Sequence, residues 1–162
     1  MDIIKQYPFL QETYDRIKKH EGFRLVPYTL SYTDANGNTV TENFQTGGYG
    51  HKMPVNKIAP QKDLLTKEGW EEVYNSDFKK AVEGAQKLID VNNVDPRAFG
   101  IITEMVFQMG TEGVSKFKKT LDYVNKRQYK EAAKEMLDSK WAIQTKNRAT
   151  DLSNYMSSIS DN

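Results

Sequence analysis

Glu21 is followed directly by Gly22, at the end of a stretch in which Leu10, Tyr14 and Ile17 recur at helical spacing. The glycine predicts that the helix stops there. A glutamate in that position meets the negative end of the helix dipole, which disfavours its ionised form. A carboxylic acid that keeps its proton is what general-acid chemistry requires. A second motif, Thr46-Gly47-Gly48-Tyr49-Gly50-His51, offers a hydroxyl beside three glycines. So little side chain leaves the backbone bare, and a ligand could approach it closely. Taken alone, Glu21 reads as an exposed helix-end glutamate. The glycine run, returning a strand towards the same place, is what argues for chemistry.

The elements that must position these groups follow from the pattern. Residues 1–7 read as a loose lead-in ended by Tyr7-Pro8, and Phe9 to Glu21 as a helix. Phe23 to Tyr32 reads as one strand, with Pro27 making it an edge or irregular strand. Asp34-Ala35-Asn36-Gly37-Asn38 is a turn, since Asn-Gly tolerates φ > 0 at both residues. Thr39 to Thr46 returns as the second strand, and His51 to Leu65, with Pro54 and Pro60, reads as a loop or irregular strand. Thr66 is an N-cap for a long helix reaching about Leu88, striped with Trp70, Val73, Tyr74, Phe78, Ala81, Val82 and Ala85. Asp95-Pro96 starts the next helix, Arg97 to Met109, which is apolar almost all round and is predicted to be the central buried helix, ended by Gly110. Short helices are expected at Val114–Phe117, Thr120–Lys126, Tyr129–Leu137, Trp141–Gln144 and from Asn147 to about Ile159. Strands before residue 55 and helices after it give an α+β fold. The predicted single domain has a β-rich lobe at 22–65, a helical lobe at 9–21 and 89–162, and a connecting helix at 66–88, with a cleft between the lobes.

Composition narrows the function. At 162 residues the chain can bury a core without disulfides or metals. It has no cysteine, which excludes thiol catalysis, disulfide scaffolds and cysteine-ligated zinc. Its two histidines are not clustered with other ligands, so no metal or other cofactor is expected. A formal charge of +1 is not that of a nucleic-acid binder. No apolar run is long enough to span a membrane, and the first residues lack a signal-peptide core, so a soluble, cytosolically made chain is expected. Asp34-x-Asn36-x-Asn38 faintly resembles a calcium loop, but glycine stands fourth rather than sixth and position twelve is Gln45.

Several ordered blocks carry a resemblance. Met105-Val106-Phe107-Gln108-Met109-Gly110-Thr111-Glu112-Gly113-Val114, Glu131-Ala132-Ala133, Lys140-Trp141 and Gln144-Thr145-Lys146-Asn147-Arg148-Ala149 resemble the T-even phage lysozyme family at matching spacing. His20-Glu21-Gly22-Phe23-Arg24-Leu25 and the run from Thr46 to His51 are similar to its catalytic motifs. The resemblance spans about Tyr14 to Leu152 and implies a lysozyme-like fold with a cleft between lobes. It implies that Glu21 is the general acid protonating the leaving glycosidic oxygen. Thr46 would position the attacking water or the intermediate. Arg148 would support the acid, Phe107 and Thr120 would contact sugar, and His51 with Asp77 would form a structural ion pair.

The departure lies between the two motifs. The family places an aspartate nine residues after its glutamate, where this chain has Leu30. Thr46 comes 25 residues after Glu21, so the hairpin carries about ten extra residues. A relocated second carboxylate would be Glu42 or Asp34. Glu42 shares strand parity with Thr46 but lies roughly 13 Å along the strand. Asp34 suits the turn itself. Retaining glycosidases need their carboxyl groups about 5 Å apart and inverting ones about 6.5–9.5 Å.

The resemblance thus implies a muramidase. It would cleave the β-1,4 bond between N-acetylmuramic acid and N-acetylglucosamine in peptidoglycan and lyse the bacterial wall. The alternative is a lysozyme-like module that binds peptidoglycan or a protein partner without turnover. A monomer is expected, reaching the wall through a separate membrane lesion or as a virion component.

Overall fold

The computed structural model describes residues 1–29, 31–41, 44–54 and 66–161, which fall into two compact units. One comprises Met1–Ile17 with Phe78–Asn162, the other Lys18–Asp77. The fold is α+β, with eight helices and five strands among the described residues. The division falls within a helix, α3 (Lys67–Leu88), not at its ends. The first half of α3 groups with the strands because Trp70 bonds to the first strand and Glu71 and Tyr74 meet Tyr49 in the turn before His51.

In the unit Lys18–Asp77, helix α2 (Leu10–Glu21) ends on Glu21 as its spacing predicts. The long strand expected from Phe23 to Tyr32 is divided into β1 (Arg24–Tyr28) and β2 (Ser31–Thr33). Among the described residues its partner comprises β3 (Thr39–Thr41) and β4 (Phe44–Gly48), which pair in different sheets. The strand β5 (His51–Pro54) follows where a loop or irregular strand was expected. Two sheets result. One is three-stranded, in the order β1-β4-β5, and the other is the two-stranded hairpin β2-β3, all pairs antiparallel. Strand β1 is both an edge strand and irregular, its register shifting between Arg24 and Tyr28 around the donor-less Pro27. In the hairpin only Gly37 of the Asn-Gly pair adopts positive φ (+80°). The Gly37 N–H bonds to the Asp34 carbonyl and the Asp34 N–H to the Asn38 carbonyl. That is a type I turn closed by a left-handed glycine, in place of a two-residue turn with both residues at φ > 0.

In the other unit the residues expected to be a loose lead-in form a short helix, α1 (Asp2–Gln6). A five-residue helix has little stability of its own. Here Ile3 is buried and Tyr7 meets Phe99 edge to face at 5.3 Å, so packing holds it. Helix α4 (Pro96–Ser115) is capped by Asp95, whose side chain accepts the Arg97 N–H, and every residue from Ala98 to Val106 is buried. Gly110, at φ +79° and ψ +163°, interrupts it, and the short helix expected after the glycine is its final turn. The remaining helices are α5 (Lys118–Asn125), α6 (Tyr129–Leu137), α7 (Lys140–Gln144) and α8 (Lys146–Ser157). Helix α6 packs on α5 and α8, burying Ala132, Ala133, Met136, Leu152 and Met156.

Candidate active site

Glu21 is the last residue of α2, and the Gly22 N–H closes that turn onto the Lys18 carbonyl at 3.0 Å. Gly22 has φ +69° and open space around its missing β-carbon, so it is a glycine for its backbone angle alone. Gly50, at φ +77°, differs: a β-carbon there would run into Glu21 Oε2. The carboxylate lies against bare backbone at that turn. The other two glycines serve a different end from the one their composition suggests. A β-carbon on Gly47 would sit 2.7 Å from carbons of the Trp70 ring, and one on Gly48 would collide with the same ring. Their bare backbone is covered by the indole and is not left open to a ligand. Trp70 is fully buried, and its Nε1–H donates to the Leu25 carbonyl at 2.8 Å, tying β1 and β4 to α3.

Thr46 stands on the central strand β4, opposite Tyr28 of β1 and Lys52 of β5, and is half-buried. Just beyond it, His51 Nδ1 lies 2.7 Å from Asp77 Oδ2, fastening the start of β5 to α3. The two residues that the resemblance pairs are therefore in contact. Asp34 is in the hairpin turn, where its Oδ1 accepts the N–H groups of Asn36 and Asn38, each at 2.9 Å. Leu30 and Glu42 lie outside the described residues.

Lys18, Tyr49 and Glu71, none of them singled out by the sequence, surround the acid's two backbone supports. Lys18 Nζ donates to both carboxylate oxygens of Glu71, at 2.8 and 2.7 Å, and the Tyr49 hydroxyl donates to Glu71 Oε1 at 3.0 Å. The local hints are slight: Lys18 stands three residues before Glu21, as any surface lysine could, and Tyr49 lies inside the glycine run.

Phe107, Thr120 and Arg148 belong to the other unit. Phe107 is half-buried on α4. Thr120 is 2% exposed on α5, in the wall of a cavity of about 430 Å³ shared with Phe117, Lys119, Glu135 and Ser139. Beside it Trp141 Nε1–H donates to Gln108 Oε1 at 2.8 Å, and the Phe117 and Trp141 rings meet edge to face. Arg148 Nε donates to Glu104 Oε2 at 2.9 Å, while Arg16 Nε donates to Glu104 Oε1 at 2.7 Å. Glu104 is fully buried and was not among the sequence candidates. A signal did exist: it is the one acid within the apolar run from Phe99 to Met109, and a buried charge needs partners.

An α+β chain with a glutamate so placed beside a threonine-bearing strand falls into the lysozyme-like class of glycoside hydrolases. The chain belongs to the phage lysozyme family, whose description matches residues 18–154, a span holding every candidate residue above. It is 32% identical over 148 residues to the probable T4-type lysozyme 2 of Dictyostelium discoideum, covering 83% of this chain and 87% of that protein. The probable T4-type lysozyme 1 of the same organism is 29% identical over 150 residues, with the same coverage. The pre-baseplate central spike protein Gp5 of Enterobacteria phage T4 is 27% identical over 158 residues, which are 84% of this chain and 26% of the spike protein. No helix among the described residues is long and apolar enough to cross a membrane.

Proposed function

We propose that this chain is a muramidase that hydrolyses the β-1,4 bond between N-acetylmuramic acid and N-acetylglucosamine in peptidoglycan. The observation that carries the reading is the Glu21 carboxylate set against Gly50, at the turn that ends the Thr46 strand. Glu21 donates its proton to the leaving glycosidic oxygen. Thr46 holds a water that attacks the anomeric carbon from the opposite face of the ring and gives up its proton to a second carboxylate or to solvent. With Leu30 where the family has its aspartate, an inverting or a single-acid course fits better than a retaining one, whose covalent intermediate needs a second carboxylate about 5 Å away. Glu42 and Asp34 are the second-carboxylate candidates. Asp34 already spends one oxygen on its turn, which favours Glu42. Phe107 and Thr120 are assigned to sugar contact and Arg148 to support of the acid on the family resemblance. The chain acts as a monomer on the bacterial wall, reached through a separate membrane lesion or as part of a virion.

Purified peptidoglycan tests this directly. Glu21→Gln should lower the clearing rate by about 10²–10⁴-fold, the range for losing a general acid, with an unchanged far-ultraviolet spectrum and melting temperature. Mass spectrometry of the released fragments should find N-acetylmuramic acid at the new reducing ends. Full activity in Glu21→Gln would remove the assignment. Leu30 favours the second reading, a binding module without turnover. That reading predicts sedimentation of the wild-type chain with peptidoglycan and no clearing.

A further inference from the structure

Two short backbone stretches adjoin Glu21. One is the last turn of α2, closed by the Gly22 N–H on the Lys18 carbonyl at 3.0 Å. The other is the Tyr49-Gly50 turn, whose bare backbone abuts Glu21 Oε2. Both are tied to the same third group. Glu71, on α3, accepts from Lys18 Nζ at 2.8 and 2.7 Å and from the Tyr49 hydroxyl at 3.0 Å. The ammonium also lies over two rings, 4.8 Å from the Tyr49 centroid and 5.4 Å from that of Tyr74. The Tyr49 ring is in turn held by Phe23 at 4.9 Å and Tyr74 at 5.3 Å. Side chains of Lys18 and Glu71 are 23% and 32% exposed, so water screens the pair only in part. A lone surface lysine–glutamate pair contributes little. This one is charge-assisted, bound through both oxygens and joined by a hydroxyl, so its geometry is specified more tightly.

We propose that Lys18, Glu71 and Tyr49 are positioning residues for Glu21: a three-point clamp that fixes the end of α2 and the Gly50 turn relative to each other, and so aims the acid. None of the three touches the reacting atoms in this scheme. The inference rests on the assignment of Glu21 as the acid, but its geometric part stands apart from activity. Misplacing a reacting group by about 1 Å costs up to roughly 10²-fold in rate, which is the scale on which such a clamp acts.

The variants are Tyr49→Phe, which keeps the ring, Glu71→Gln, Lys18→Met and Lys18→Arg. Initial rates on soluble, uncrosslinked glycan strands, read as reducing ends, separate kcat from KM. Lys18→Met and Glu71→Gln should lower kcat about 10- to 100-fold and leave KM within about twofold. The double variant Lys18→Met with Glu71→Gln should be no worse than either single one, since both break the same link. Lys18→Arg, which keeps the charge and the donors, should recover most of the loss. In parallel, amide hydrogen exchange is followed by NMR on every variant. The Gly50 and Gly22 amides should exchange about tenfold faster in Glu71→Gln, with the amides of α6 and α8 unchanged. Unaltered kcat in folded variants, a loss in KM alone, or unchanged exchange at Gly50 and Gly22 would each overturn the clamp. If the wild-type chain cleaves nothing, the muramidase reading fails, and the exchange measurement alone decides the clamp.

Discussion

At Gly22 and Gly50 the same residue type answers two different demands, and substitution separates them. Both have positive φ, so alanine costs each about 1–2 kcal/mol of backbone strain. At Gly22 a methyl enters open space, whereas at Gly50 it strikes the Glu21 carboxylate. Gly50→Ala should therefore lose at least tenfold more activity than Gly22→Ala at similar loss of stability, measured as clearing rate beside urea unfolding. Thr46→Val keeps the shape of the strand residue and removes its hydroxyl. If Thr46 holds the attacking water, kcat should fall while the unfolding free energy stays within about 1 kcal/mol of wild type. Equal kcat would deprive Thr46 of its role. Glu21 and Thr46 were legible as candidates because their signals are local: a helix followed by glycine, and a hydroxyl opening a glycine run. Lys18 and Tyr49 were not, because what singles them out is Glu71, which lies 53 and 22 residues away.

The start of α4 gives a pH-dependent test at the scale of an element. Asp95 caps the helix, and the hydrogen bond from the Arg97 side chain, with that residue's N–H and charge, holds its carboxyl below the ordinary aspartate value of 3.8. A carboxyl depressed in the folded state adds stability that is fully present above the unfolded value. That contribution is lost as pH falls from 3.8 through the lower folded value. Asp95→Ala should cost about 1 kcal/mol at pH 7, lowering the melting temperature by about 2–4 °C. The gap should shrink below pH 3.8. Asp95→Asn keeps a capping oxygen, so it should cost less and vary less with pH. A gap that widens in acid would contradict the role of the charge. Further along α4, Glu104 holds Arg16 and Arg148 from a fully buried position. Glu104→Ala removes the buried carboxylate that binds both guanidinium groups and should destabilise by about 3–5 kcal/mol in urea titration. The extents of α2 and α6 followed from spacing and glycine alone. The sharing of the strands between two sheets did not, because a strand of alternating residues carries no mark of which partner it pairs with.

Across the whole molecule, apolar burial is uneven. Among the described residues of Lys18–Asp77, Trp70 and Tyr74 are the buried apolar side chains, while the other unit buries α4, α6 and α8 deeply. Regions with few buried apolar contacts open first. Amide exchange should therefore be slowest in α4, α6 and α8 and fast in the β2-β3 hairpin, both of whose strands are largely exposed. Trp70→Ala removes the floor under Gly47 and Gly48. It should cost about 3–5 kcal/mol locally, abolish clearing and leave the slow amides of α6 and α8 slow. Equal acceleration everywhere would mean that the chain opens as one unit.

The sequence by itself determined the α+β class, the helix ends at Glu21 and Asp95, and a family membership carried by ordered blocks. Each of these is written in neighbouring residues. Only the tertiary structure decided what the bare glycines are for, two facing an indole and one a carboxylate. It also decided that Glu104 binds Arg16 and Arg148, and that Glu71 joins Lys18 to Tyr49. Those are contacts between residues tens of positions apart, and a close approach depends on which side chains folding brings together. Bare backbone in a sequence signals only that something comes near; the fold decided that here it is the protein's own tryptophan and its own acid.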